Sequence, residues 1–248
     1  MISRATSIAA KVAGMAAFLI GWEAANRSLG PYWVPSVAMI AERAASEWER
    51  GALMADFAAT LVLFLVGSCA GLVFGVTIAC LLRLSRRVDL MLQPFITAIM
   101  SIPKLGLVPL LVLWFGTGWL PKAFLVGLTV LFIVFSLTYS GLVTVQPKLV
   151  MAARLMGASS FQVTRSIVLP TVLPFVLTGL EVSLPWAVSA ALVAEYLSSK
   201  VGIGHVIEQS KQMSDSVGVF YGITLATVLV LVFNAALAVV RNLSVKGR

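Results

Sequence analysis

Charge is what this chain has least of. Only 11% of its 248 residues are Asp, Glu, Lys or Arg, while 60% are hydrophobic. Soluble domains carry about a quarter charged residues and about 45–50% apolar ones. A water-soluble globule is therefore excluded, and so are a disordered chain and a small disulfide-stapled scaffold. There is one histidine, His205, and there are two cysteines, Cys69 and Cys80. With no Cys/His cluster, a zinc or haem site has almost no ligands to use. The cysteines stand eleven residues apart in one apolar stretch, about 16 Å along a helix and too far for a disulfide within the chain. No G-x-x-x-x-G-K-[ST] phosphate loop and no H-E-x-x-H is available. The chain cannot bind and split ATP in the usual way, and it is a poor candidate for intramembrane hydrolysis.

What is present is a series of long apolar runs. A membrane span needs about 20 such residues. Six stretches qualify: Ile8–Ala25, Phe57–Leu82, Val88–Phe115, Leu120–Val145, Thr171–Leu197 and Val217–Val240. The first, with Arg4 and Lys11 ahead of it, has the look of a signal peptide but is read as a retained helix. The expected fold class is an all-α polytopic membrane protein of about six transmembrane helices, one domain over 1–248.

The net charge of +8 becomes informative when divided between the sides of a membrane. With the N-terminus in the cytoplasm, eleven basic residues fall inside against one acid, Asp89; six basic residues and eight acids fall outside. That is the positive-inside pattern, with both termini cytoplasmic. It explains the basic balance without nucleic acid. The outer segment Asn26–Ala55 carries alternating charge around Glu42–Arg50 and reads as an interfacial helix. No internal repeat is visible, so an inverted-repeat secondary transporter gains no direct support.

The most informative segment is cytoplasmic, the loop 146–170. It reads Met151-Ala-Ala-Arg-Leu-Met-Gly157, then nine residues to Ile167-Val-Leu169-Pro170. This predicts a short helix, a glycine break at Gly157, and a second short helix ending at Pro170. Ala152 and Ala153 allow another surface to approach, and Ser159 or Ser160 can cap the second helix.

The spacing A-A-x3-G-x9-I-x-L-P resembles the coupling motif of permease subunits of bacterial ATP-binding-cassette (ABC) importers. Other residues are similar to the nitrate/sulfonate/taurine type: Trp22-Glu23, Pro35-Ser36, Gly51-x-Leu53, Pro109-Leu110, Leu113-Trp114-Phe115-Gly116, and Ala194-Glu195 followed by Gly202-Ile203-Gly204. The resemblance covers most of the chain. It implies a type I ABC importer fold in the bacterial inner membrane, with a cytoplasmic coupling helix. It further implies two permease copies, two ATPase subunits that bind ATP and magnesium, and a periplasmic substrate-binding protein. The ATPase-coupling residues it implies are Met151, Ala152, Ala153, Arg154, Gly157, Ala158, Ile167, Leu169 and Pro170; this chain needs no cofactor of its own. The substrate implied is a small anion such as a sulfonate, taurine or nitrate, or else a pyrimidine-type vitamin precursor or aromatic acid. Two departures stand out: the family usually has Glu where Met151 stands, and often Arg and Gly where Glu181 and Pro185 stand.

Substrate-path candidates come from residues out of place in a membrane. Pro94, Pro103 and Pro109 should bend the third span, and broken backbone at membrane depth suits a cavity lining, with plain helix packing as the alternative. Lys104 and Glu181 are costly in lipid and are expected to line the path and pair when it is empty, although a static ion pair is the alternative. Glu195, at the outer end of the fifth span, suits a gate, a docking surface or simple interfacial solvation. Trp114, Trp119 and Trp186 read as interfacial or packing aromatics; Trp186 is also carried as a path candidate. Gly67, Gly71 and Gly75 allow close helix approach, for internal packing or for a dimer. An ion-driven secondary transporter remains the competing class, and it would leave the Gly157 segment unexplained.

Overall fold

A computed structural model describes residues 4–83 and 85–246; Arg248, counted above among the inner cations, lies outside them. Among the described residues every element is helical. In chain order they are α1 (Arg4–Leu29), α2 (Val37–Glu49), α3 (Ala52–Arg83), α4 (Arg86–Met100), a 3-10 turn (Lys104–Leu107), α5 (Val108–Phe115) and α6 (Trp119–Thr144). There follow α7 (Pro147–Leu155), α8 (Ser160–Val163), a π turn (Thr164–Val168), α9 (Leu169–Ser198), α10 (Ile203–Gln212) and α11 (Ser216–Lys246).

Among the described residues, four continuous helical runs are long and apolar enough to cross a membrane: Ala52–Arg83, Trp119–Thr144, Ser160–Ser198 and Ser216–Val239. The third apolar stretch is not one helix. It breaks between Arg87–Met100 and Lys104–Phe115, whose axes differ by 77°. The break falls at Ser101–Pro103, where Pro103 adopts an extended conformation. Pro94 sits inside α4, which continues through it, and Pro109 opens α5. Helix α1 forms over the first stretch as one continuous helix, with Lys11 and Glu23 within it. Its residues 10–21 are all exposed. It is held at one end, where Trp22 packs edge-on against Phe220 at 5.5 Å and donates to the Pro35 carbonyl at 2.9 Å.

Helix α6 is the centre of the bundle. Its Leu125, Val126, Val130 and Val134 are fully buried. On one side α3 lies against it at glycine distance: a Cβ on Gly71 would stand 2.5 Å from the Gly127 carbonyl, and one on Gly67 2.6 Å from Val126. The glycine row therefore serves internal packing. On the other side α9 approaches through Gly179, and Phe175 fills the space beside Gly141. Helix α2 is capped by Ser36, which accepts from the Met39 N–H, and Arg43 joins Glu47 at 3.0 Å to Asp215 at 3.3 Å. The helical spacing of charge around Glu42–Arg50 thus falls on α2, pinned to the start of α11.

Replacing Gly71 with Leu should force α3 and α6 apart and cost about 1–3 kcal/mol or more by overpacking. Gly21→Ala, where a Cβ meets nothing within 4 Å, should leave the thermal midpoint of the detergent-solubilised protein unchanged. Equal midpoints for both variants would contradict this packing.

Candidate functional site

The docking element begins where α6 ends. Pro147 starts α7, its missing N–H costing nothing in the first turn. Gly157 then takes φ +86°, a conformation that L side chains rarely adopt. Its N–H donates to the Arg154 carbonyl at 3.0 Å, and the Ala158 N–H to the Ala153 carbonyl at 3.0 Å. These two bonds form a Schellman C-cap. Ser159, not Ser160, caps α8: its hydroxyl accepts from the Gln162 N–H at 3.3 Å, while Gln162 Oε1 accepts from the Ser159 N–H at 2.7 Å. The second helix does not end at Pro170. The π turn carries the chain directly into α9, and Pro170 occupies its first turn, where no donor is needed.

The candidate coupling residues divide between two faces of α7. Met151 and Arg154 border a cleft of about 750 Å³ shared with Arg83, Leu142, Val145 and Val168. Ala152 and Ala153 lie on the opposite side of the helix, with Leu149 and Met156. Ala153, Gly157, Ala158 and Ile167 border a second hollow of about 400 Å³. Leu169 is exposed. Met156 is 88% exposed, Leu155 81% and Phe161 71%. Large apolar side chains this open on and beside α7 and α8 form an exposed apolar patch of the kind that marks an interaction surface.

The end of the bundle at α10 holds a buried polar knot. Glu195 is 2% exposed, which excludes simple interfacial solvation. Thr60 Oγ1 lies 2.9 Å from both its carboxyl oxygens, and Oε2 accepts from the Gly204 N–H at 2.9 Å. Thr60 Oγ1 also accepts from the Ile203 N–H at 2.8 Å, and Asp56 accepts from the Gly202 N–H at 2.8 Å. Residues of α3 and α9 thus satisfy the unpaired amides at the start of α10. A Cβ on Gly202 would collide with the Glu195 carboxyl and one on Gly204 with the Leu192 carbonyl, which is why glycine flanks Ile203. Further along α10, hydrogen bonds from Gln212 and Lys211 hold the Glu208 carboxyl below its usual range.

Lys104 and Glu181 do not meet. Lys104 Nζ donates to the Met100 carbonyl at 3.1 Å, bridging the break in the third span, and stands 5.1 Å from the Phe132 ring centroid. Glu181 instead accepts from Arg241 on α11 at 2.8 Å. The sequence reading missed Arg241, counting it only as a terminal cation, because the two lie 60 residues apart. Pro103 and Trp186 are exposed, as is the α9 stripe of Val182, Pro185 and Ser189 beside Glu181. A second polar cluster was also missed. Asp89, 4% exposed, accepts from the Tyr139 hydroxyl at 2.8 Å, lies 3.7 Å from Arg83 Nη1, and is backed by Gln93 Nε2 donating to Tyr139 at 3.0 Å. It ties α4 to α3 and α6.

An all-helical bundle with an external docking element and a broken span can now be compared with known proteins. Residues 71–247 match the family described as "Binding-protein-dependent transport system inner membrane component". The chain belongs to this family. The permease is 29% identical over 231 residues to the formylaminopyrimidine transport permease protein of Halalkalibacterium halodurans, covering 93% of this chain and 92% of that one. It is 34% identical over 166 residues to a putative aliphatic sulfonates transport permease protein of Bacillus subtilis, covering 67% and 59%. With the taurine transport system permease protein of Escherichia coli it shares 29% over 185 residues, covering 75% and 67%. In fold the permease is similar to inward facing structures of the MetNI methionine ABC transporter, with TM-score 0.67 at 18% identity over 80% of this chain and 98% of that one. An amino acid ABC transporter matches with TM-score 0.61 at 19% identity, over 81% and 95%. The type I importer architecture expected from the resemblance is therefore the architecture present.

Thr60→Val should leave the Glu195 carboxyl only the Gly204 N–H and strand the Ile203 N–H, at about 1–3 kcal/mol for each unsatisfied group. Thr60→Ser should keep both bonds. A thermal midpoint unchanged in the valine variant would show that the knot is not a structural fastener.

Proposed function

We propose that this permease forms, with a second copy of itself, the path of an importer for a small anion such as a sulfonate, taurine or nitrate. Both termini lie in the cytoplasm. Two ATPase subunits, which hold ATP and magnesium, dock on the Pro147–Pro170 element, and a periplasmic binding protein delivers substrate to the outer face. The observation that carries this reading is the rigid, apolar docking element of α7 and α8, locked by Gly157 and continuous with α9. Pulling the ATPases together on ATP binding moves the element, and α6 and α9, which flank it, transmit the motion. The path then turns outward, and hydrolysis resets it. A ligand can only bias such an equilibrium through differential affinity for the two states, so loaded binding protein and ATP each favour the outward one.

The exposed stripe of α9, with Glu181, Pro185 and Trp186, and the broken span at Pro103 and Lys104 are the surfaces offered to the path. A half-exposed Glu181–Arg241 pair is costly against lipid tails, which favours a path or a second subunit on that side. The sulfonate and taurine relatives and the cation Lys104 support an anion. The formylaminopyrimidine relative makes a vitamin precursor the alternative cargo.

Purified from its own organism in mild detergent, the tagged chain should bring an ATPase at one copy per permease. A lone chain that moves solute without ATP would overturn the reading. Gly157→Ala forces a Cβ into the left-handed region at about 1–2 kcal/mol and should lower ATPase retention about tenfold. Lys104→Met should retain the ATPase yet abolish uptake of labelled taurine or sulfonate. Unchanged uptake would remove Lys104 from the path.

A further inference from the structure

The cleft beneath α7 opens on the side of that helix away from Ala152, Ala153 and Met156, with Met151 and Leu155 at its rim. It is walled by the ends of three spans, at Arg83 of α3, Leu142 of α6 and Val168 entering α9, and roofed by Val150 and Arg154 of α7. In the orientation proposed above, on which this inference rests, that places it at the cytoplasmic boundary of the bilayer. Its walls are mostly apolar, and its charged groups are both arginines. Arg154 makes no ion pair among the described residues, and it faces the cleft, not the docking surface. Arg83 is 3.7 Å from Asp89. Asp89, the one acid counted on this side, accepts from the Tyr139 hydroxyl at 2.8 Å and keeps its charge beside Arg83. The cleft therefore holds one uncompensated cation, Arg154, beside an apolar wall.

We propose that this cleft binds an anionic phospholipid of the cytoplasmic leaflet, with the phosphate between Arg154 and Arg83 and the acyl chain along Leu142, Val145 and Val168. Basic pockets between spans on the cytoplasmic side suit such headgroups, because an anionic leaflet attracts cations at its surface. Free phosphate satisfies the arginines but leaves the apolar wall wet; a lipid satisfies both. A lipid seated there joins α7 to the bundle and stiffens the element on which the ATPases would pull. The π turn Thr164–Val168 closes one side of the cleft at Thr164 and Val168, so the lipid would also brace the entry to α9.

The test is native mass spectrometry of the purified permease complex from nanodiscs of phosphatidylcholine with and without phosphatidylglycerol. ATPase retention is read in the same spectra. Wild type should keep phosphatidylglycerol and release phosphatidylcholine. Arg154→Gln should retain about fivefold less, the effect of one cation at an anionic surface. Leu142→Trp, which fills the wall and leaves the charges, should lose lipid as well; Arg154→Lys should restore much of it. Equal retention of the two lipids, an unaffected Arg154→Gln, or displacement by millimolar inorganic phosphate would each overturn the proposal. So would lipid that binds only after the ATPase is stripped, since the cleft would then belong to the ATPase. Absence of any ATPase while phosphatidylglycerol stays bound would instead overturn the functional reading and leave the lipid site standing.

Discussion

The closeness of α3 to α6 is the constraint on which the rest of the bundle depends. Lipid tails are as apolar as leucine, so helices in a membrane gain little by hiding apolar surface from their surroundings. What holds them is close van der Waals packing, and that requires small residues at the contact. Gly67, Gly71 and Gly75 let the α3 backbone approach within contact of the α6 carbonyls. With α3 on one side and α9 on the other, α6 becomes the buried axis. Its inner end leads within three residues into α7, so the orientation of the docking element follows from the seam.

Polar fasteners complete the bundle at its two ends, where helices would otherwise leave unpaired amides or buried charges. A buried polar group without a partner costs several kcal/mol in an apolar medium. At the α10 end Glu195, Thr60 and Asp56 satisfy the start of that helix. At the opposite end Asp89 is satisfied by Tyr139 and Arg83. The first knot fixes the start of α10 against α3 and α9. The second holds α4, the first half of the broken span, to α6. Between them lies the break at Ser101–Pro103, where Lys104 donates back across the gap. The molecule thus combines two fastened ends with one discontinuous span.

The division of α7 into two faces changes how its residues are understood. Ala152, Ala153 and Met156 face away from the cleft, whereas Met151 and Arg154 turn toward the bundle. Met151, where a glutamate is usual in the family, borders that cleft at 65% exposure. A change there acts first on the space between α7 and the spans.

Sequence by itself determined the features encoded by spacing along one helix or turn. Long apolar runs specify spans because the bilayer sets their length, and Gly157 specifies a C-cap because its neighbours cannot take positive φ cheaply. The docking element, the helix around Glu42–Arg50 and the glycine seam were legible for that reason. Tertiary structure decided which distant residues meet. Glu195 is bonded to Thr60, 135 residues away, and Glu181 to Arg241, 60 residues away. Neither pairing leaves a mark in local periodicity. The cost of charge in lipid suggested that Lys104 would meet Glu181, but the side of each helix that faces a neighbour is set by packing around α6. The same limit applied to the third span: its prolines announced a bend, while the position of the break and its 77° angle followed from how α4 and α5 are held.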